Sequence, residues 1–292
     1  MKRARIAVVT DIHHGADHFT KKGSAALDLL GEFRRGADEA GVDLVIDLGD
    51  RISDVGREAD LAREREVAEV FDGMRAPRMH LCGNHDRDHL TVDDNADIFA
   101  QPMTSATLEV GDWTIVLWQA DTRIRRPGGF VLPESDLLWL HGVVRAASRP
   151  LAVFTHVPLS DQSQVGNYWF ERNPRAATYP DGADRARAIL ATASVPVVCV
   201  AGHVHWNTLT FASGRPHLTL QSLTETFTTH PRVAGSWALL ELGESIDWTV
   251  HGNDRMRVSI PTETAARSWV TPLPRFADHP EIRERLLATP AR

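Results

Sequence analysis

Two patterns of apolar residues alternate along the first half of the chain. Residues 6–10, 44–48 and 79–82 are short, nearly continuous apolar runs, the pattern of strands buried on both faces. Between them, residues 20–40 carry Ala26, Leu29, Leu30, Phe33 and Ala37 at helical spacing, with Gly41 as a stop, and residues 58–74 read as a second helix. This alternation predicts βαβ units feeding one sheet, an α/β class. The middle of the chain changes character. Residues 107–110 and 113–119, joined by Gly111-Asp112, predict a hairpin. Residues 134–147 and 184–193 predict helices, and 151–155 and 195–201 predict strands. Residues 159–183 hold few apolar side chains but include Tyr168, Trp169 and Phe170. They predict a long loop, of a length usually tied to function or disorder. Strand patterns at 208–212, 217–221, 237–242 and 247–251 then imply a second sheet. The expected organisation is a main domain over 1–260 and a surface-packed tail over 261–292 with one short helix near 281–287.

Composition narrows the classes. The chain has 292 residues, 42% hydrophobic, enough for a sizeable core. Its 32 basic and 39 acidic residues give a net charge of −7, which argues against a general nucleic-acid binder or a polybasic membrane-surface protein. No apolar run approaches the ~20 residues of a membrane span. The N-terminal run at 6–9 is shorter than the roughly 7–15 apolar residues of a signal peptide. A cytoplasmic location is therefore expected. Cys82 and Cys199 each sit in an apolar run and read as buried reduced thiols, not a disulfide framework. Histidine stands out, with 14 against only 2 tyrosines.

Five polar clusters follow predicted strands: Asp11-Ile12-His13, Gly49-Asp50, Gly83-Asn84-His85-Asp86, Thr155-His156 and Gly202-His203-Val204-His205. In open α/β sheets, ligands bind outside the carboxyl ends of the strands. The five segments can therefore deliver carboxylate, amide and imidazole groups to one edge, a donor set suited to borderline divalent metals. A His-x-His or Asp-x-His pair alone is weak evidence in so histidine-rich a chain. Gly-Asn-His-Asp is more specific, and the five together point to a metal centre.

That order of motifs resembles the calcineurin-like metallophosphoesterase superfamily, over roughly residues 4–251. The resemblance implies a four-layer αββα sandwich of two mixed β-sheets flanked by helices. It also implies two metals about 3.5–4 Å apart at the strand C-terminal ends. By the same resemblance Asp11, His13 and His205 bind the first metal, Asn84, His156 and His203 the second, and Asp50 bridges both. His85 is the non-ligand histidine and Asp86 its orienting carboxylate. The ions are divalent or trivalent, with Mn, Fe, Zn and Co all compatible with the donors. The implied activity is hydrolysis of a small phosphodiester, of cyclic-nucleotide or glycerophosphodiester type, by a metal-bridging hydroxide. A phosphomonoesterase is the alternative, and a nuclease or a non-catalytic scaffold are more distant rivals.

Many relatives carry Gly-Asp-x-x-Asp, whereas here Asp54 comes one position later, where it can orient a ligand or a loop backbone. The protein-phosphatase forms Gly-Asp-x-Val-Asp-Arg-Gly and Gly-Asn-His-Glu are absent, which argues against a phosphoprotein substrate. His14, Arg51 and Arg87 are candidate substrate contacts, the two arginines reading equally as surface salt bridges. His18 and His89 also flank the motifs. Arg123, Arg125 and Arg126 read as a solvated loop, and Tyr168 to Phe170 as packing for the 159–183 loop, with stacking on a substrate the alternative. Most of the eight tryptophans fall in predicted elements and serve the core. Specificity is expected in loops 14–22, 87–105, 121–132 and 159–183. No pattern fixes the oligomeric state.

Overall fold

Along the described residues the chain runs β1 (Ala4–Val9), α1 (Ala26–Ala40), β2 (Leu44–Asp47), α2 (Arg57–Asp72), β3 (Arg78–His80) and α3 (Val92–Phe99). The hairpin β4 (Ala106–Val110) and β5 (Trp113–Leu117) precedes α4 (Glu134–Ala146), β6 (Leu151–Thr155), α5 (Ala183–Ala191) and β7 (Val197–Ala201). Then come β8 (Thr208–Ala212), β9 (Arg215–Thr219), β10 (Trp237–Leu242), β11 (Ser245–His251), β12 (Met256–Pro261) and α6 (Pro280–Ala288). The structure is a computed structural model that describes residues 1–125, 129–266 and 279–288.

The strands form two six-stranded mixed sheets, ordered β12-β11-β10-β1-β2-β3 and β4-β5-β6-β7-β9-β8. Parallel pairing holds within β1–β2–β3 and within β5–β6–β7–β9; the outer strands are antiparallel. Side chains alternate between two buried surfaces, which explains the continuous apolar runs. Ile6 and Val8 join Ile115, Phe154, Val200 and Trp248 in the core between the sheets. Ala7 and Val9 face Leu30, Phe33 and Phe71 of α1 and α2. On the other side, Val116, Val153 and Cys199 pack on Leu137, Leu140 and Leu190 of α4 and α5. The result is the expected α/β sandwich of four layers, helix–sheet–sheet–helix.

The late strands depart from the expectation of a separate second sheet. β8 and β9 extend the sheet of β4 to β7, while β10 to β12 return to the edge of β1, with Ala4 opposite Leu242. Pairing between segments more than 200 residues apart leaves no periodic trace, so the sequence pattern located these strands without assigning them to a sheet. α3 and β12 were not anticipated, yet both carry local signals. Thr91 and Asp94 form a reciprocal capping box for α3. Met256, Val258 and Ile260 alternate along β12 and pack toward the inter-sheet core. β12 therefore crosses the expected boundary at 260. α1 begins at Ala26, not near 20: residues 20–25 form a turn and a 3-10 segment pressed on the loop after β1, where a Cβ on Gly23 would lie 2.6 Å from the His13 carbonyl oxygen.

The first part of the tail, Thr262–Ala266, docks through Arg215. That buried guanidinium donates to the carbonyl oxygens of Ala265 at 2.6 Å and Ala193 at 2.8 Å. Cys82 and Cys199 are buried free thiols, and burial pushes both up to about 12. No helix of the described residues is long and apolar enough to cross a membrane.

His217 of β9 gives this core a pH signature. Burial, reinforced by Arg187, lowers its imidazole to about 4. The unfolded chain, with an ordinary histidine near ~6.5, then binds more protons between these values. His217 thus contributes stability that is present above pH ~6.5 and lost as the pH falls toward about 4. In urea titrations at stepped pH, His217→Gln is expected to remove a component of order a few kcal/mol from that decline. A variant curve parallel to the wild type would show that His217 does not carry it.

Candidate metal centre

All five polar clusters meet at one edge, where the C-terminal ends of β1, β2, β3, β6 and β7 converge. Backbone hydrogen bonds stitch the segments together: Asp11 N–H to Gly49 O at 2.9 Å, His13 N–H to Asp50 O at 3.0 Å, and Gly202 N–H to His156 O at 3.0 Å. The chain is strained here. Among the described residues, nine non-glycine residues have left-handed φ, and five of them are Asp11, His13, Asp50, His203 and His205. Such conformations cost of order 1–3 kcal/mol each and concentrate where function requires them. Of the motif glycines, only Gly49 has positive φ, +99°. Gly83 and Gly202 are there for space. A Cβ on Gly83 would fall 2.2 Å from Asp50 Oδ1, and one on Gly202 1.9 Å from Thr10 Oγ1.

Two donor groups share this edge. Asp11, His13 and His205 form one; Asp50, His156 and His203 form the other; Asp50 also lies within reach of His13 and His85. In the first group His13 Nε2 is 3.0 Å from His205 Nε2, and His205 Nε2 is 3.1 Å from Asp11 Oδ1. In the second, His156 Nε2 is 3.4 Å from Asp50 Oδ2. Asp11 Oδ1, Asn84 Oδ1 and His156 Nε2 are buried without a well-formed hydrogen bond. Buried polar atoms are normally satisfied. Asp11 Oδ1 and His156 Nε2 sit in the two groups of mixed N and O donors, so those residues fit metal ions, and Asn84 lines the adjoining cleft with His85.

The outer nitrogen of three of the four candidate ligand rings is tied to an acceptor, as metal-binding histidines require. His156 Nδ1 donates to Leu48 O at 2.9 Å, His203 Nε2 to Ala176 O at 2.8 Å, and His205 Nδ1 to Glu225 Oε2 at 3.1 Å. Asp11 Oδ2 accepts from Thr10 Oγ1 at 2.6 Å and from the His203 amide at 2.8 Å. Burial alone would raise the Asp50 carboxyl, but His156 and then His85 hold it well below the usual carboxylate range. Burial lowers His156, yet Asp50 and Asp11 outweigh it and raise that imidazole to about 9. Burial, helped by His156, pushes His203 down to about 4.

Several expected roles change. Asp86 does not orient His85. Its carboxylate accepts from the backbone amides of Gly83 at 2.7 Å, Asp50 at 2.8 Å and Arg51 at 2.8 Å. The partner of His85 Nδ1 is Asp54, while His85 Nε2 lies 4.0 Å from Asp50 Oδ2. The later position of Asp54 in the sequence thus brings it to the histidine itself. Arg51 is neither a substrate contact nor a surface residue: it is wholly buried and binds Glu64 at 2.8 Å, Asp47 at 3.0 Å, Asn95 at 2.6 Å and Leu81 O at 2.7 Å. His14 turns to Glu66 of α2, and His89 to Asp60 at 2.9 Å. His18 stacks edge-on against Phe19.

Arg87 does line the site. With Asp54, Asn84, His85, Arg123 and Ile124 it bounds a cleft of about 320 Å³ beside the histidines. A larger cavity of about 670 Å³ between β4 and α4 is remote from them. Arg123 chelates Asp121, Arg125 lies 3.8 Å from the same carboxylate, and Arg126 is outside the described residues. In the 159–183 loop, Asn167 Nδ2 donates to Val204 O and Trp169 Nε1 to Glu225, both at 2.8 Å. Phe170 packs on His203. The loop is therefore outer support for the Gly-His-x-His segment. Sequence reasoning missed Glu225 and Lys21. Glu225 follows the end of β9 beside β7, which is a usable signal. Lys21 was hidden inside the expected helix.

A model of the calcineurin-like phosphoesterase family matches residues 4–207, a span that takes in every candidate ligand and stops short of Glu225. No curated protein matches the chain. Among solved structures, a dimetal phosphatase from Danio rerio is similar at 16% identity, covering 89% of this chain and 99% of that one with a TM-score of 0.70. A purple acid phosphatase from yellow lupin (Lupinus luteus) is 14% identical, covering 93% and 56%, with a TM-score of 0.62. GAP50, the anchor in the inner membrane complex of Plasmodium, is 12% identical, covering 89% and 90%, with a TM-score of 0.58. These likenesses are of fold, and two phosphatases and an anchor sharing one fold show that fold alone assigns no activity.

The two arginines separate in a stability measurement. Arg51→Met leaves Asp47 and Glu64 buried without their cation, a kind of loss that costs about 3–5 kcal/mol. Arg87→Met at the cleft wall is expected to cost about 1 kcal/mol or less. Urea unfolding of both variants tests this, and equal losses would contradict the buried role of Arg51.

Proposed function

The chain belongs to the calcineurin-like phosphoesterase family, and from that premise we propose that it hydrolyses a small phosphodiester at a two-metal centre. Asp11, His13 and His205 would hold one ion, Asn84, His156 and His203 the other, and Asp50 both. The observation that carries this reading is the pair of donor groups joined at Asp50, with unsatisfied ligand atoms in each. Bound cations would supply neutralisation of the phosphoryl oxygens and activation of the attacking water.

The chain's own residues do the rest. Asp54 holds His85 through Nδ1, which leaves Nε2 on the side of the donor groups, 4.0 Å from Asp50 Oδ2. Burial lowers the His85 imidazole while Asp50 and Asp54 raise it; with cations at Asp50, the Asp54 carboxylate at Nδ1 would remain to support the protonated ring. His85 can then pass a proton to the departing ester oxygen. An alkoxide is a poor leaving group, so this donor supports an alkyl or ribose-linked diester. The cleft past Arg87 offers room for the group that stays esterified. The net charge of −7 opposes extended nucleic acid, and a small phosphorylated substrate met in the cytoplasm completes the reading.

The test compares esters with good and poor leaving groups, using Mn²⁺-loaded protein. Wild type is expected to hold two ions per chain by elemental analysis and to prefer diesters; a preference for monoesters would move it to the phosphomonoesterases. General acid catalysis is typically worth ~10²–10⁴-fold. His85→Ala should therefore keep its metals and most activity on a nitrophenyl diester, and lose far more on an alkyl diester. Asp54→Asn should follow the same trend more weakly. A uniform loss across leaving groups would take the proton-donor role from His85.

A further inference from the structure

Lys21 is an unusual residue to find at a cation site. It is 7% exposed, and its position is built, not incidental. A tight turn sets it, with His18 N–H to Lys21 O and Lys21 N–H to His18 O both at 2.9 Å and φ +47° at Phe19. Neighbouring bonds clamp that turn: Thr226 Oγ1 donates to Thr20 O at 2.7 Å, and Lys22 N–H to Thr224 O at 2.8 Å. The ammonium lies 5.2 Å from the centre of the Trp169 ring, a cation–π distance. Asp50, Asp11, Glu225 and Asp54 dominate the field around it, yet none forms an ion pair with it. Its hydrogen-bond contact among the described residues is with His13 Nδ1, at 3.5 Å.

That contact cannot survive if His13 binds a cation through Nε2, the nitrogen that faces His205 and Asp11. A neutral imidazole that gives one ring nitrogen to a metal carries its hydrogen on the other. Nδ1 would then be a donor facing a donor, and the ammonium would lose its acceptor. A buried ammonium without an acceptor is costly. Cations in the two donor groups would also weaken the negative field that holds it. Loading the site therefore creates a demand for an anionic oxygen at Lys21 Nζ. The ammonium lies 3.5 Å from His13 Nδ1, and the His13 and His85 ring centres are 4.9 Å apart, so an anion held at Nζ would lie near both rings.

Resting on the phosphoesterase reading above, we infer that Lys21 is a catalytic residue that donates a hydrogen bond to a non-bridging oxygen of the substrate's phosphoryl group. It moves no proton and breaks no bond. It adds a fixed positive donor where charge builds up on the phosphoryl oxygens, and binds inorganic phosphate by the same contact.

The test uses the Mn²⁺-loaded full chain with Lys21→Met, which keeps the length and apolar stem, and Lys21→Arg, which keeps the charge. Metal content is measured by elemental analysis, inorganic phosphate binding by calorimetry, and kcat and KM on bis(4-nitrophenyl) phosphate. Lys21→Met is expected to hold as many ions as wild type, to bind phosphate about 10-fold or more weakly, and to lose about 10²–10³-fold in kcat. Lys21→Arg should regain part of the phosphate affinity. Unchanged phosphate affinity in a metal-replete Lys21→Met would overturn the assignment. Loss of an ion in that variant would overturn it too, by making Lys21 a support for His13. A wild type that takes up neither ions nor phosphate would overturn the phosphoesterase reading itself, and this inference with it.

Discussion

A carboxylate buried at the meeting point of two sheets governs this molecule. Asp50 is shut off from solvent, and an isolated charge in such a place is prohibitive unless it is paired and hydrogen-bonded. Imidazoles from three other segments, His13, His85 and His156, surround it, and its Oδ1 accepts the His85 amide at 2.8 Å. Directly beneath, Asp86 gathers three backbone amides, including that of Asp50 itself. Arg51, 3.5 Å from Asp86, links this pedestal to Asp47, Glu64 and Asn95. The Gly-Asp and Gly-Asn-His-Asp motifs are thus one object. One supplies the buried carboxylate shared by two donor groups, and the other supplies the carboxylate that holds its backbone in a left-handed conformation.

The same constraint explains where strain and close packing fall. Five loops must place donor atoms within a few ångströms of one another, so their backbones come closer than side chains usually permit. Asp11 accepts the amide of His203 across 192 residues of sequence, a contact that a Cβ on Gly202 would block. Rotating the rings into the centre leaves their outer nitrogens to be satisfied, and the 159–183 loop does much of this through Ala176 O and, by way of Trp169, Glu225. A segment that composition alone marks as a specificity loop is thereby committed largely to holding the second histidine pair. The cleft at Arg87, Arg123 and Ile124 is the open space left beside the histidines.

The sequence was informative where chemistry is local. The candidate ligands were legible because each sits at the end of an apolar run, and order along the chain maps onto order along the sheet edge. Fold class was legible for the same reason. Contacts between distant segments were not. Nothing in Gly-Asn-His-Asp tells whether its last carboxylate faces the preceding imidazole or the backbone amides beneath Asp50, and adjacency suggested the wrong choice. Arg51 follows a motif residue, as a substrate contact might, and only the packing of α2 and α3 against β2 and β3 turns it inward. Lys21 was lost because the apolar spacing of α1 invites extension toward residue 20, whereas the chain needs residues 20–25 to close over the loop after β1.

These placements resolve a difficulty in the electrostatics. A chain with net charge −7, with Asp11 and Asp50 at the base of its site and Asp54 and Asp88 at the rim, would repel a phosphate ester before it arrived. Cations in the donor groups cancel the charge at the base, but a close-range charge does little for an anion still approaching through salt water. The protein's own positive groups run from the cleft inward: Arg87 and Arg123 along the cleft, His85 on the Asp54 side, and Lys21 buried beside His13. They form a gradient from exposed guanidinium to buried ammonium. On the proposed reading, an ester following it would exchange water for fixed donors step by step and bring its phosphoryl group to Lys21. On that reading the acidic base and the basic fringe would have separate work, the first to hold metal and the second to admit the anion.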